Sequence, residues 1–206
     1  MRLLELFAGT GSVRKAVGSQ FDEIISLDID PAHNPTIVCD ILEWNYKIYP
    51  SGYFDVIWAS PPCTEFSCLN FTHPEKIPNL NLADSIVKKT IEIIDYFNPS
   101  RFFIENPQSG SLKERDYMYS IPYADFDYCQ FCNWGYRKRT RIWTCTNAKS
   151  KLCPGANHCE NMINKRHKFA LGNNTYNEFW VRGTERIHQR YAIPPALVQY
   201  LFSSLE

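Results

Sequence analysis

Short apolar runs that each stop on a glycine, a carboxylate or a thiol recur through the first half of this chain, and they constrain its fold more than any other feature. Residues 2–7 are apolar enough for a central strand and lead into Gly9 and Gly11. Residues 23–27 close on Asp28, and residues 36–38 near Asp40. Residues 54–59 close on Ser60-Pro61-Pro62-Cys63, and residues 101–104 on Glu105-Asn106-Pro107. Between these runs the apolar spacing turns helical: Val13, Ala16 and Val17 form one stripe, and Ile86, Val87, Thr90, Ile91, Ile94 and Phe97 another. Strands alternating with helices specify an α/β fold with a mainly parallel, doubly wound sheet. Ligands of such sheets bind outside the carboxyl ends of the strands. Five separate stretches therefore aim their chemistry at one edge.

Two more strand-like runs follow, at residues 124–131 and 140–144. Periodicity then fades. Residues 1–144 read as the main domain, 145–183 as a small, polar, irregular module, and 184–206 as a return to the main domain through a helix opened by Pro194-Pro195 and carrying Leu197, Val198, Leu201 and Phe202. A chain of 206 residues fits one such domain with a small appendage. No apolar run approaches the roughly 20 residues that span a bilayer, and the first residues lack a secretory pattern. The expectation is a monomer without a membrane partner, placed in the cytosol of a bacterium or in the cytosol or nucleus of a host cell.

The formal net charge of zero conceals an imbalance. Residues 1–128 carry ten Lys+Arg against eighteen Asp+Glu; residues 129–206 carry twelve against four. An acidic front and a basic back suit a small-molecule pocket joined to a polyanion-binding face. Clustering on a solvated surface is the plainer alternative.

Glycines at the first strand-to-helix turn let the backbone approach a ligand closely. Asp28, at the end of the next strand, is placed to accept from both hydroxyls of a ribose, and Asp40 from an adenine amine. The chain has no phosphate-gripping GxxxxGK[ST] loop, which favours a nucleoside without a polyphosphate. Cys63 after two prolines and Glu105 before Asn106-Pro107 would face the same crevice, and a thiol with a carboxyl group is equipment for attacking an electron-poor ring. In Arg137-Lys138-Arg139-Thr140-Arg141, strand alternation projects the three arginines from one face. Such a face suits phosphate or base contacts, or a solvated edge.

These stretches together resemble the cytosine-C5 DNA methyltransferase family, especially its compact phage and viral members. The resemblance runs through nearly all of residues 1–144 and thinly through 182–206. Phe7-Ala8-Gly9-Thr10-Gly11-Ser12 is similar to the family's first cofactor motif, Pro62-Cys63 to its nucleophile motif, Glu105-Asn106 to its Glu-Asn motif and Arg139-Thr140-Arg141 to its Arg-x-Arg. The resemblance implies a Rossmann-like methyltransferase fold that binds S-adenosylmethionine through those first residues, Asp28, Ile29, Asp40, Ile41 and Pro61. It implies Cys63 as nucleophile, Glu105 at the ring nitrogen N3, Arg139 and Arg141 at O2 and a phosphate, and duplex DNA with a short cytosine-containing site as partner, its target base flipped out. Arg137-Lys138 stand where the family has Gln, and Tyr191-Ala192-Ile193-Pro194-Pro195 stand near its C-terminal Gly-Asn motif. The same chemistry on RNA, and a catalytically silent nucleic-acid-binding relative, stay open beside the DNA reading.

Five of the eight cysteines crowd the back of the chain. Cys153-x5-Cys159-x7-His167 resembles zinc-ligand spacing without matching a standard finger. Cys129 is the first choice for a fourth ligand, with Cys132, Cys145 and His158 as alternatives, and unpaired thiols beside a surface histidine are the other reading. Lys165, Arg166, Lys168 and Arg182, with Tyr176, Phe179 and Trp180, would offer a basic and aromatic face to nucleic acid.

Overall fold

The computed structural model describes residues 1–68, 70, 75, 77–156, 158–169 and 191–203. Tyr176, Phe179, Trp180 and Arg182 lie outside the described residues.

The apolar runs form one sheet from β1 (Arg2–Leu6), β2 (Glu23–Asp28), β3 (Ile37–Val38), β4 (Val56–Ala59), β5 (Arg101–Pro107), β6 (Tyr123–Asp127) and β7 (Arg139–Thr144). Their order is β3-β2-β1-β4-β5-β7-β6. Pairing is parallel from β3 across to β5, and β7 runs antiparallel to both β5 and β6. The chain winds outward from β1 to β3 and then resumes at β4 on the other side, so the carboxyl ends of β1 and β4 flank a topological switch point.

Both faces are covered, and successive strand residues go to opposite layers. Leu3, Val56, Trp58, Phe103 and Ile142 pack with α1 (Ser12–Val17) and α3 (Pro195–Ser203). Phe202 of α3 stacks on Phe103 with ring centroids 5.2 Å apart. Leu4, Leu6, Ile57, Ile104 and Trp143 pack beneath α2 (Leu80–Phe97). The Asn79 side chain caps the start of α2 by accepting from the Leu82 amide, and Asn98, at φ 47°, ends it in a left-handed turn.

β5 is longer than its apolar run implies. The sequence places Glu105-Asn106-Pro107 beyond the strand, whereas β7 pairs with them through the register Glu105↔Ile142, Asn106↔Arg141 and Pro107↔Thr140. The antiparallel partner supplies the ladder, and Pro107, which cannot donate to it, stands at the end. Two polar site residues are thereby held within the sheet itself.

Beyond β7, the Asp127 amide donates to the Lys151 carbonyl at 2.9 Å and the Lys151 amide to the Asp125 carbonyl at 3.2 Å, which covers the outer edge of β6. A short hairpin follows, β8 (Met162–Ile163) with β9 (Arg166–His167). Asn164 and Lys165 link its strands at φ 50° and 64°, both left-handed as a two-residue type I′ turn requires. The region read as irregular thus contains regular pairing, and its turn lacks the glycine that would have announced it. Among the described residues no helix is long and apolar enough to cross a membrane.

Candidate active site

A cavity of about 410 Å³ opens at the carboxyl ends of β1, β4 and β5, within the range of small-molecule and cofactor sites. Its first wall is the glycine turn. The chain leaves β1 through Phe7 at φ 58°, a left-handed conformation that side chains rarely adopt. The Gly9 amide donates to Asp28 Oδ2 at 2.8 Å, the Gly11 amide to the Ala8 carbonyl at 2.7 Å, and the Asp30 amide to Asp28 Oδ1 at 2.9 Å. Asp28 therefore also braces the turn. Gly11, at φ 66°, opens α1, and a Cβ there would meet the Arg14 guanidinium at 2.6 Å.

Phe7, Ala8, Gly9, Thr10, Ser12, Asp28 and Pro61 line the cavity. Gly11 is buried in the turn, Ile29 is exposed and Ile41 belongs to the core under α2. Asp40 accepts from the Leu42 amide at 2.9 Å and sits outside the lining.

Glu5, which the sequence reading did not single out, lies in the middle of β1 and lines the same cavity. It is 2% exposed, and burial pushes its carboxyl group up to about 7 despite the opposing charge of Arg14. The Arg14 guanidinium stands 3.9 Å from Glu5 Oε2. Two buried oxygens of lining residues, Glu5 Oε2 and Asn106 Oδ1, have no hydrogen-bond partner among the described residues. An acidic residue inside an apolar strand was a legible signal of a site, since burial of a charge is costly.

The second wall brings together the distant motifs. The consecutive prolines carry the chain off β4, and buried Asn106 Nδ2 donates to the Pro61 carbonyl at 2.9 Å. The Asn79 amide donates to Glu65 Oε2 at 2.8 Å and the Ser111 amide to the Phe66 carbonyl at 2.8 Å, fixing the far side of the loop. Cys63 and Glu105 consequently line one cavity. Glu105, 6% exposed, accepts from the Thr140 hydroxyl, and Tyr128 reaches its Oε1 at 3.5 Å. Lys138 Nζ lies 3.8 Å from the same oxygen and also lines the cavity. Burial raises the Cys63 thiol above its ordinary value, the Glu105 charge raises it further, and Lys138 pulls it back.

The arginines of β7 face elsewhere. Arg139 holds Asp127 through two hydrogen bonds of 3.0 and 2.9 Å, and Arg141 holds Asp125 through two of 2.8 and 2.9 Å. Arg137 Nε comes within 4.0 Å of Asp127. Alternation groups these arginines as read from the sequence, but Lys138 and Thr140 are the neighbours of Glu105. Neither Arg139 nor Arg141 lines the cavity.

Away from the cavity, Cys129, Cys153, Cys159 and His167 place one ligand atom each within 4.8 Å of one another, a group able to hold a metal ion. Cys132, Cys145 and His158 are not part of it.

The probable DNA (cytosine-5)-methyltransferase of Frog virus 3 (isolate Goorha) is 36% identical over 217 residues, covering 96% of this chain and 97% of that protein. This chain belongs to the cytosine-C5 DNA methyltransferase family. No family model matches the sequence. The solved structure of the Entamoeba histolytica methyltransferase EhMeth shares its fold, with a TM-score of 0.51 at 18% identity over 70% of this chain and 52% of that one. The S. pombe Dnmt2 methyltransferase gives a TM-score of 0.49 at 18% identity over 74% and 51%. This methyltransferase chain spans about half the length of those two solved proteins.

Proposed function

We propose that this chain methylates C5 of cytosine in DNA with S-adenosylmethionine as donor and Cys63 as nucleophile. The observation that carries the reading is the Asn106–Pro61 hydrogen bond. It clamps the loop of Cys63 to the strand of Glu105, so that both line the cavity that begins at the glycine turn.

The cavity fits the donor on its own features. The turn at Phe7–Gly9 offers close backbone approach, and Glu5 Oε2, buried without a hydrogen-bond partner among the described residues, suits a polar ligand group that can donate to it. Phe7, Ala8, Gly9, Thr10, Gly11 and Ser12, with Asp28, Ile29, Asp40, Ile41 and Pro61, are the residues assigned to hold it. When bound, the cofactor supplies an electrophilic methyl group on a sulfonium.

C5 of cytosine is a poor nucleophile. Cys63, after giving up its proton to solvent, forms a bond to C6, and the C5–C6 π pair moves onto C5 as an enamine-like carbon nucleophile. Glu105 holds N3 and favours its protonation, drawing electron density toward the ring during attack. Lys138 favours the thiolate and faces the Glu105 carboxyl group. After methylation a water molecule takes the C5 proton, the pair of that C–H bond re-forms the C5–C6 double bond, and the sulfur–C6 bond breaks with its pair returning to the sulfur. A paired cytosine cannot meet a thiol in such a cavity, so the base flips out at a cost of a few kcal/mol. Arg139 and Arg141 are assigned to the base's O2 and a nearby phosphate, exchanging their aspartates for the polyanion. Residues 145–183 are assigned to target recognition, and a module this small reads a short site. One chain acts alone on a duplex.

The test is transfer of labelled methyl groups to duplex DNA and to transfer RNA. Label recovered as 5-methylcytosine from the duplex is expected. Label in transfer RNA alone would move the substrate to RNA, and label in neither while duplex binds would favour a silent relative.

A further inference from the structure

We propose that Cys129, Cys153, Cys159 and His167 bind one structural zinc ion that fastens the segment after β7 to the end of β6. This site lies apart from the methyl-transfer cavity and does not depend on the catalytic reading.

The first argument is geometric. His167 Nε2 stands 3.6 Å from Cys153 Sγ and 3.6 Å from Cys159 Sγ. A single imidazole nitrogen has one lone pair or one proton to offer, so it cannot serve two thiols equally. A central metal can. Zinc–sulfur bonds of about 2.3 Å and zinc–nitrogen bonds of about 2.0–2.1 Å at the tetrahedral angle separate nitrogen from sulfur by about 3.6 Å and two sulfurs by about 3.8 Å. All four ligand atoms lie within 4.8 Å of one another. Four protein ligands close the coordination sphere and leave no position for a reacting water, which marks a structural site.

The second argument concerns what else holds this segment. Among the described residues of 145–169, only Cys159 and Asn161 are buried. Asn161 accepts from the Gly135 amide at 2.9 Å and donates to the carbonyls of Cys129 at 3.0 Å and Cys132 at 2.9 Å. The segment fully buries only one thiol and one amide and meets the apolar core through the partly buried Ala148 and Phe169, so its own apolar burial is small, the situation in which a metal contributes folding energy outright. Metal binding would release the protons of the three thiols to solvent. The ligand group is also tied to the end of β6. The Cys153 amide donates at 2.8 Å to Asp127 Oδ2, the carboxylate that Arg139 holds.

The test is metal analysis of the full chain, followed by replacement with Co²⁺. One zinc per chain is expected, and the cobalt form should show the intense visible bands of a tetrahedral site with thiolate-to-metal charge transfer. Cys132→Ser and Cys145→Ser should keep one metal per chain, whereas Cys159→Ser should lose it. Should Cys159→Ser fail to fold, His167→Cys gives the deciding result: it should keep one metal and shift the cobalt bands toward an all-thiolate site. Cys63→Ser should keep its zinc while losing methyl transfer, so the two readings fail separately. A zinc-free native chain that takes up no Co²⁺, a Cys153–Cys159 disulfide in its place, or metal lost with Cys132 would overturn the proposal.

Discussion

The cavity wall and the segment after β7 are both made of polar loops, yet they are fixed by different means. Each loop at the cavity is tied to a strand or helix that a large core already holds: Gly9 to Asp28, Pro61 to Asn106, the loop of Glu65 to the start of α2. The later segment is tied by point contacts, through Lys151 to β6, Asn161 to the loop after β6, and the Cys–His group. The first region is therefore preorganised by the sheet, as catalysis requires. The second rests on a few polar contacts and on the packing of partly buried Ala148 and Phe169 against the core. Damage to the cavity should appear in chemistry with the fold intact, and damage to the segment as local loss of structure with cofactor binding intact.

The sharpest break in that comparison is Glu105→Gln. Methyl transfer should fall about a thousandfold, in line with loss of a positioned acid–base group, while the melting temperature changes little. The Cys63 thiol should titrate lower than in the native chain, because one of the charges that raises it is gone. The pH dependence of alkylation reads that shift, and a thiol that titrates higher would contradict the pairing.

Glu5 gives the next largest effect. The folded chain raises its carboxyl group from 4.5 to about 7, so folding binds a proton there. That stability is complete below about pH 4.5 and is lost as the pH climbs through about 7, a decline of about 3 kcal/mol across the window. Glu5→Gln should flatten this part of the stability curve measured by denaturant unfolding.

Asn161→Ala should cost the later segment about 2 kcal/mol by leaving the Gly135 amide and the Cys129 and Cys132 carbonyls without their partner. Hydrogen exchange should show lost protection at residues 129–135, with protection of β1 and β4 unchanged. The smallest effect is a gain: Lys165→Gly, at φ 64°, should stabilise the β8–β9 hairpin by about 1 kcal/mol.

The same contrast decides what could be read from the sequence. The central strands are buried on both faces, so their apolar runs and the polar residues that end them were visible one by one. Glu105-Asn106 looked like a loop because the strand that pairs with it comes later in the chain. The arginine alternation was legible, but which face of β7 meets Glu105 depends on the register Glu105↔Ile142, which no local pattern encodes. For that reason Lys138 reads from the sequence only as a departure from the family's Gln, not as a neighbour of Glu105. In the later segment, ligand spacing picked out Cys153, Cys159 and His167, whereas its hairpin turns on Asn164-Lys165 with no glycine to mark it.

Covalent capture on duplex DNA carrying 5-fluorocytosine, in the presence of S-adenosylmethionine, tests the central claim most directly, because fluorine at C5 blocks release of the enzyme sulfur. One DNA strand attached per chain is expected, mapped by peptide mass to Cys63 and absent in Cys63→Ser. No adduct under conditions where the duplex binds, or an adduct on a different cysteine, would contradict it.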